Sequence, residues 1–282
     1  MGKVAIVTDS TAYIPNDLCI KYNITIAPQV LIWGEETLED GVDIQPGEFY
    51  TRLANSKVVP TSSQVTPGSF QKIFSKLIEQ EYEILAILIS DLLSGTISSA
   101  MQAKLLFSGN KIEIVNSKSV AMGLGFVALA AGRASADGAD LKDCIAVAEK
   151  ALQNIGVVFT VETLEYLHRG GRIGGAQKLL GTALSLKPIL EVTGGRVESI
   201  EKVRTRTKSL HRLVEILNER IAGRSPVHLA TIQANAPEEA RQLLDEAGQK
   251  FSAVEKIFCE VSPVIGAHGG PGTVGLAFLA GM

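Results

Sequence analysis

The chain runs to 282 residues, 46% hydrophobic, 5% aromatic and 20% charged, which excludes disorder and describes a folded protein with an aliphatic core. That length is more than one compact core usually needs, so two domains are expected. With a net charge of -3 at pH 7, and Lys202, Arg204, Arg206 and Lys208 as the densest basic stretch, nucleic acid is a poor partner.

Met1-Gly2-Lys3 and the short apolar run after it lack the length of a signal peptide, and no apolar run reaches the roughly 18 residues that a membrane span needs. Val4 to Val7 is apolar without alternation and ends in Thr8-Asp9-Ser10-Thr11, as a doubly covered strand does on reaching the edge of a parallel sheet. Ile84 to Ile89, followed by Ser90-Asp91 and Ser94-Gly95-Thr96, repeats the pattern, and so does Ile112 to Val115, followed by Asn116-Ser117. Helical stretches lie between and after them. Pro67 to Glu79 has Thr66 as N-cap and Pro67 at its first position, and Ser98 to Phe107, Val120 to Ala136 and Asp140 to Asn154 follow. Alternating strand and helix make the first half a doubly wound α/β layer.

From Gly156 the pattern changes. Val157 to Val161 reads as a strand, and Ile189 to Val192, Gly194-Gly195 and Arg196 to Ile200 read as a hairpin with a glycine turn, which implies antiparallel pairing. Helices at Lys208 to Ala222 and Pro237 to Ala247 flank a strand at His228 to Gln233, and strands near Lys256 to Val261 and Thr273 to Phe278 close the chain. The second half is therefore a mixed-sheet α/β domain. The expected domains are residues 1–155 and 156–282.

Pro60-Thr61-Ser62-Ser63-Gln64-Val65-Thr66 sets hydroxyls and an amide just before a helix start, where unpaired N–H groups and the helix dipole favour an anion. One Ser or Thr is enough for a cap, so an ordinary capped helix explains the same residues. Ser94-Gly95-Thr96 repeats the arrangement. If the two corners converge, they supply hydroxyl and N–H donors without a fixed cation, which suits a monoanion such as a carboxylate. The small residues of Val120 to Ala136 and Gly174 to Leu186 would wall the guest.

His268, in the glycine-dense stretch Gly266 to Thr273, is either a turn histidine bonded to backbone or a second carboxylate donor able to gain charge near neutral pH. A serine hydrolase using Ser94 with His268 is the alternative enzyme reading, but Gly-x-Ser-x-Gly is absent. His168-Arg169-Gly170-Gly171-Arg172 has the composition of a phosphate loop without its Gly-Lys-Ser/Thr ending, and a tight turn explains it equally well. Arg204 and Arg206 lie where a strand runs into a helix, on a solvated face or against an acidic or phosphorylated partner. Cys19, Cys144 and Cys259 are far apart and odd in number, which points to a reduced cytoplasmic protein without structural zinc.

Taken in order, Thr8-Asp9-Ser10-Thr11, Pro60-Thr61-Ser62-Ser63-Gln64, Leu93-Ser94-Gly95-Thr96, Asn116-Ser117-Lys118-Ser119, Gly171-Arg172-Ile173, Lys202-Val203-Arg204-Thr205 and Gly266-Ala267-His268 resemble the DegV family along nearly the whole chain. These are fatty-acid-binding proteins that include the B subunits of bacterial fatty acid kinase. The resemblance implies a three-layer α/β/α domain with a parallel sheet, then a two-layer mixed-sheet α/β domain, with one acyl chain buried between them. It implies a long-chain fatty acid of palmitic or stearic length as ligand, no cofactor, no metal and no catalytic residue, with phosphorylation left to a separate kinase subunit. Its carboxylate-holding threonine falls on Ser62 and its second hydroxyl on Ser94, with Thr61, Ser63, Gly95 and His268 in support. Its partner-facing basic residue falls on Arg204. Two positions depart from the family pattern: Ser62 keeps the hydroxyl but loses a methyl, and Asn116 replaces an aspartate.

Overall fold

Strand β1 (Lys3–Asp9) puts Val4 and Ile6 into one core and Ala5 and Val7 into another, as the period of two requires of a strand covered on both faces. After a 3-10 turn (Ser10–Ala12) come α1 (Asn16–Lys21) and β2 (Ile24–Ala27), the latter parallel to β1. The chain then leaves the sheet to build an annex of β3 (Val30–Trp33), β4 (Glu36–Glu39), α2 (Pro46–Asn55) and β5 (Thr61–Ser63). Both β4 and β5 pair antiparallel with β3, so Thr61 to Ser63, placed only as a stretch before a helix start, is a strand. Pairing with β3 overrides the low strand propensity of three small hydroxyl residues.

The coordinates, a computed structural model, describe residues 3–181 and 186–282. The chain re-enters the sheet through α3 (Pro67–Glu79), where the Thr66 hydroxyl caps the helix by accepting from Ser69 N–H at 3.1 Å. Then follow β6 (Tyr82–Leu88), α4 (Thr96–Lys104), β7 (Ile112–Asn116), α5 (Ala121–Ala136) and α6 (Leu141–Leu152). The first sheet is parallel throughout, in the order β2-β1-β6-β7.

Strand β8 (Ile155–Thr160) opens a second sheet. After it come α7 (Glu165–Arg169), a 3-10 segment (Gly174–Leu179), the hairpin β9 (Lys187–Thr193) and β10 (Arg196–Val203), and α8 (Arg206–Ile221). The chain closes with β11 (Val227–Gln233), α9 (Pro237–Lys250), β12 (Glu255–Ile257), α10 (Pro263–Gly269) and β13 (Val274–Ala280). The order is β10-β9-β8-β13-β11-β12, antiparallel except for β11 with β12, so the mixed sheet expected is the one found. Two local expectations change. The wall helix placed at Gly174 to Leu186 is a 3-10 segment ending at Leu179, and residues 182–185 lie outside the described ones. The glycine-dense stretch around His268 folds in part as α10, whose last turn carries the histidine.

Helices α3 and α4 cover the outer face of the first sheet through Phe70, Phe74, Ala100 and Ala103, while α8 and α9 cover the outer face of the second through Leu213, Leu217, Leu243 and Leu244. The inner faces share one core. Helix α5 runs through it, buried on every side from Ala121 to Gly132, and meets Ile6 and Leu85 of the first sheet and Val157, Ala277 and Leu279 of the second in a single cluster. Leu31, Trp33 and Phe49 of the annex belong to the same cluster.

Asn116 ends β7 beside the exposed Asp91. Its amide donates to Asp91 Oδ1 at 2.7 Å and its carbonyl oxygen accepts from Lys118 N–H at 2.9 Å. An aspartate there could make only the second of these bonds and would repel Asp91, which explains the asparagine locally.

Candidate functional site

In the first sheet, the chain leaves β1 toward β2 on one side and β6 on the other, and a crevice at such a switch point is the usual binding place of an open α/β sheet. The carboxyl ends of these strands are tied together by Asp9. Its fully buried carboxylate accepts from Thr11 N–H at 3.1 Å, Thr11 Oγ1 at 2.6 Å, Gln29 Nε2 at 3.2 Å and Ile89 N–H at 2.8 Å. Burial pushes the Asp9 carboxyl above its ordinary range, against the pull of these donors.

Gln29 and Ile89 both line a cavity of about 180 Å3 that opens into a wider mouth. That is narrower than the roughly 300–1,000 Å3 of small-molecule sites, so a guest of any length has to extend into the mouth or part the walls. Its walls are apolar: Ile89, Leu93, Val120 and Ala121 from the first half, Val157, Phe159, Val192, Val197 and Ile232 from the second sheet, and Val264 and Ile265 from α10.

The polar groups gather at one end. On β5 the side chains alternate: Ser62 turns toward α10, where its Oγ lies 2.6 Å from His268 Nε2, while Thr61 and Ser63 are exposed. Ser63 still borders the cavity, and Thr61 does not. Ser94, just before α4, also borders it and shares a hydrogen bond with Thr96 Oγ1 at 2.9 Å. A Cβ at Gly95 would meet the side-chain amide of Gln64, whose Nε2 donates to Ser99 Oγ at 3.1 Å, so a larger residue there would displace that amide. The Gln64 amide thus joins the two hydroxyl corners. Only the start of α4 faces the cavity, however. Thr66 and Pro67 at the start of α3 are not in its lining, and a strand supplies Ser62 instead.

Arg172 supplies the cation that was not expected. It borders the cavity, with Nε donating to Leu93 O at 3.0 Å and Nη1 to Gly170 O at 2.8 Å, and no carboxylate pairs with it among the described residues. Among the described residues no Asp or Glu lines the cavity. A half-buried guanidinium without a counter-ion makes this end favourable for an anion. The turn that presents Arg172 was visible as Gly170-Gly171-Arg172, but nothing local shows that it folds onto Leu93, 79 positions earlier.

His268 is packed so tightly on Gly170 that a Cβ at that glycine would overlap Nδ1, which is buried and has no hydrogen-bond partner. Burial first, and the positive charge of Arg172 second, lower its pKa to about 4. The imidazole is therefore neutral at physiological pH, contrary to the expectation that it would gain charge there. Because Nδ1 is buried without a partner, a proton there would be left unsatisfied, so the proton belongs on Nε2, which donates to Ser62 Oγ and frees the Ser62 proton for a guest. The hydrolase pairing is not assembled: His268 bonds Ser62 and not Ser94, and no carboxylate orients its other nitrogen.

Arg204 is exposed on the link from β10 to α8, outside the cavity lining and without an ion pair among the described residues. Arg206 instead grips Glu239 through two nitrogens. Among the described residues no group of three or more His, Cys, Asp or Glu is placed to hold a metal, and no helix is long and apolar enough to cross a membrane.

Fold and site together define a two-domain α/β protein with a parallel and a mixed sheet and a cavity that is apolar along its walls and polar, with a cationic group, at one end. The family model described as "Uncharacterised protein, DegV family" matches residues 3–281, and the chain belongs to the DegV family. A DegV domain-containing protein of Streptomyces coelicolor is 38% identical over 275 residues, covering 97% of each chain. Among solved structures, a DegV family protein from Thermus thermophilus described by its fatty acid binding superposes with a TM-score of 0.93 at 30% identity, covering 99% of both chains. DegV of Bacillus subtilis, described as a fatty acid binding protein, superposes with a TM-score of 0.90 at 31% identity, covering 99% of this chain and 100% of that one.

Proposed function

We propose that this chain binds one long-chain fatty acid in the cavity between its sheets. The carboxylate lies at the end formed by Ser62, Ser94, His268 and Arg172, and the acyl chain runs along the aliphatic walls. The observation that carries this reading is the pairing of an apolar cavity with a single cation and no acidic side chain in its lining. The fatty-acid-binding structures to which the chain is similar support it. Burying about 14 methylenes at ~0.8 kcal/mol each gives on the order of 11 kcal/mol gross, which association and desolvation costs reduce to ordinary tight binding.

On this reading residues 1–155 bring the hydroxyl corner and residues 156–282 close the acyl pocket, lending His268 and Arg172 to its polar end. The protein performs no chemistry itself and presents the carboxyl group to a separate fatty acid kinase subunit. Arg204, exposed and without an ion pair among the described residues, suits a contact with that partner. The unpaired thiols of Cys19, Cys144 and Cys259 fit a reducing cytoplasm.

Native mass spectrometry of gently purified protein tests the reading. A co-bound mass matching a palmitic- or stearic-length acid is expected. Apo protein that fails to take up either acid after delipidation would refute it.

A further inference from the structure

Asp40 lies in the annex between β4 and α2 and is only 2% exposed. Its backbone N–H donates to Gln29 O at 2.9 Å, immediately before β3. One carboxylate oxygen accepts from Ser10 Oγ at 2.6 Å and the other from Val264 N–H at 3.2 Å. No cation pairs with it among the described residues, and Asp9 close by adds a second buried carboxyl, so that burial first and Asp9 last in order push the Asp40 carboxyl above its ordinary range. A buried carboxyl without a cation is a destabilising choice for a core position, and an apolar residue there would cost less. Its retention needs a specific use.

Val264 is the second residue of α10. The first N–H groups of a helix have no partner within it, and a side chain just before the helix usually serves them. Ser262 occupies that place in α10 but makes no such bond. The helix start is held instead by Asp40, 224 positions away, whose charge or dipole also complements the positive end of the helix. At the other end of the same short helix, His268 meets Ser62. Ser62 is paired with Leu31 in β3, and β3 begins beside Gln29, to which Asp40 is bonded. The contacts close into a ring that runs from Asp40 along α10 to His268, across to Ser62, through β5 and β3, and back to Asp40.

We propose that Asp40 is the positioning residue of the polar end: it fixes the start of α10 to the annex, so that the imidazole at the far end of the helix meets Ser62. Without it, α10 is free to shift along its axis, and the hydrogen bond between Ser62 and His268 is lost without any change to either residue. The effect on ligand affinity rests on the fatty-acid reading above, whereas the effect on His268 does not.

The full chain is examined as wild type and as Asp40→Ala, Asp40→Asn and Ser10→Ala, following the His268 imidazole nitrogen NMR signals and titrating each delipidated protein with palmitate. In Asp40→Ala the His268 signals move toward those of a free imidazole that exchanges tautomers, and the palmitate Kd rises about tenfold, the loss of one buried bond to an ionisable group. Asp40→Asn restores both readouts, because its amide oxygen still accepts from Val264 N–H. Ser10→Ala keeps the carboxyl but removes one tether, and moves both in the same direction by about two- to threefold in Kd. It also decides the matter should Asp40→Ala fail to fold. Unchanged His268 signals in folded Asp40→Ala, or in Ser10→Ala where the former does not fold, would overturn the proposal. A wild type that takes up no palmitate would overturn the fatty-acid reading alone, with the His268 signals still deciding the role of Asp40.

Discussion

Ser62 Oγ and His268 Nε2 stand 2.6 Å apart although 206 positions separate them in the chain. The contact joins β5 of the annex to the last turn of α10, and its polarity depends on which imidazole nitrogen holds the proton. With the buried Nδ1 bare, Ser62 accepts from His268 and donates outward. Truncating Ser62 or Ser94 to alanine should weaken retention of a fatty acid by about 1 to 3 kcal/mol each, the cost of leaving a buried acceptor unpaired. Ser62→Thr should bind as the wild type does. Unchanged affinity in Ser94→Ala, measured by isothermal titration, would remove Ser94 from the site.

Arg172→Gln should cost more than either serine truncation, because it removes a full positive charge opposite the carboxylate, whereas a serine supplies only a neutral donor. The variant keeps part of the backbone contact to Leu93, so its melting temperature should move little while its affinity falls. An affinity that stayed at the wild-type level would show that the guest carboxylate lies elsewhere.

The pH dependence follows from His268. Its folded pKa of about 4 lies below the ordinary 6.5, so the unfolded chain takes up a proton that the folded chain refuses between those values. Its neutral form therefore favours the folded state fully above pH 6.5, and that stability drains away as pH falls toward 4, by on the order of 3 kcal/mol in the ligand-free protein. Asp9 and Asp40, raised by burial, act in the opposite sense in the acid range, since the folded chain holds their protons more firmly. The measurement is therefore a difference: urea unfolding of wild type and His268→Asn at several pH values. The variant should lose less stability on acidification, and parallel curves would contradict the assignment.

Phe126 in α5 is fully buried in the core shared by both sheets. Phe126→Ala should cost about 3–5 kcal/mol, the combined loss of transfer free energy and a residual cavity. Because α5 belongs to both layers, calorimetry should show one transition at a lower temperature. Two separated transitions would show that the halves unfold independently.

Asn116→Asp removes the amide donor to Asp91 and faces two carboxylates across the edge of β7. A loss of about 1 kcal/mol is expected, shrinking in high salt because the site is exposed. Equal stability at low and high salt, with no loss at either, would remove the electrostatic reason for the asparagine.

What was legible in the chain follows from how local the signals are. Strands β1 and β6 are covered on both faces and so appear as unbroken apolar runs, whereas β7, at the sheet edge, is broken by the exposed Glu113; Thr66-Pro67 marks the start of α3 to the residue. The annex was hidden because its strands are four residues or fewer and half-exposed: β4 is Glu36-Thr37-Leu38-Glu39, with no periodicity to read. Helix α10 was hidden by its glycines, which argue for a loop until Asp40 is seen to hold its start. Ser62, Ser94 and His268 stood out as residues, whereas the pairing of Ser62 with His268, the reach of Arg172 to Leu93 and the role of Gln64 over Gly95 exist only through long-range packing. The cation was missed for that reason: a lone arginine in a glycine turn carries no sign of where the turn is folded.

The annex has a consequence for how this molecule can diversify. Ser62 is borne by a three-stranded sheet that shares no strand with either main sheet, while the aliphatic walls are built from strands and helices that also carry the core. A change of side chain at the half-buried hydroxyl position is thus made outside both main sheets, whereas one in the walls is felt by the scaffold directly. Lineages descending from such a protein can retune how they grip a polar group through Ser62 itself, so long as Leu31, Trp33 and Phe49 keep the annex seated in the core.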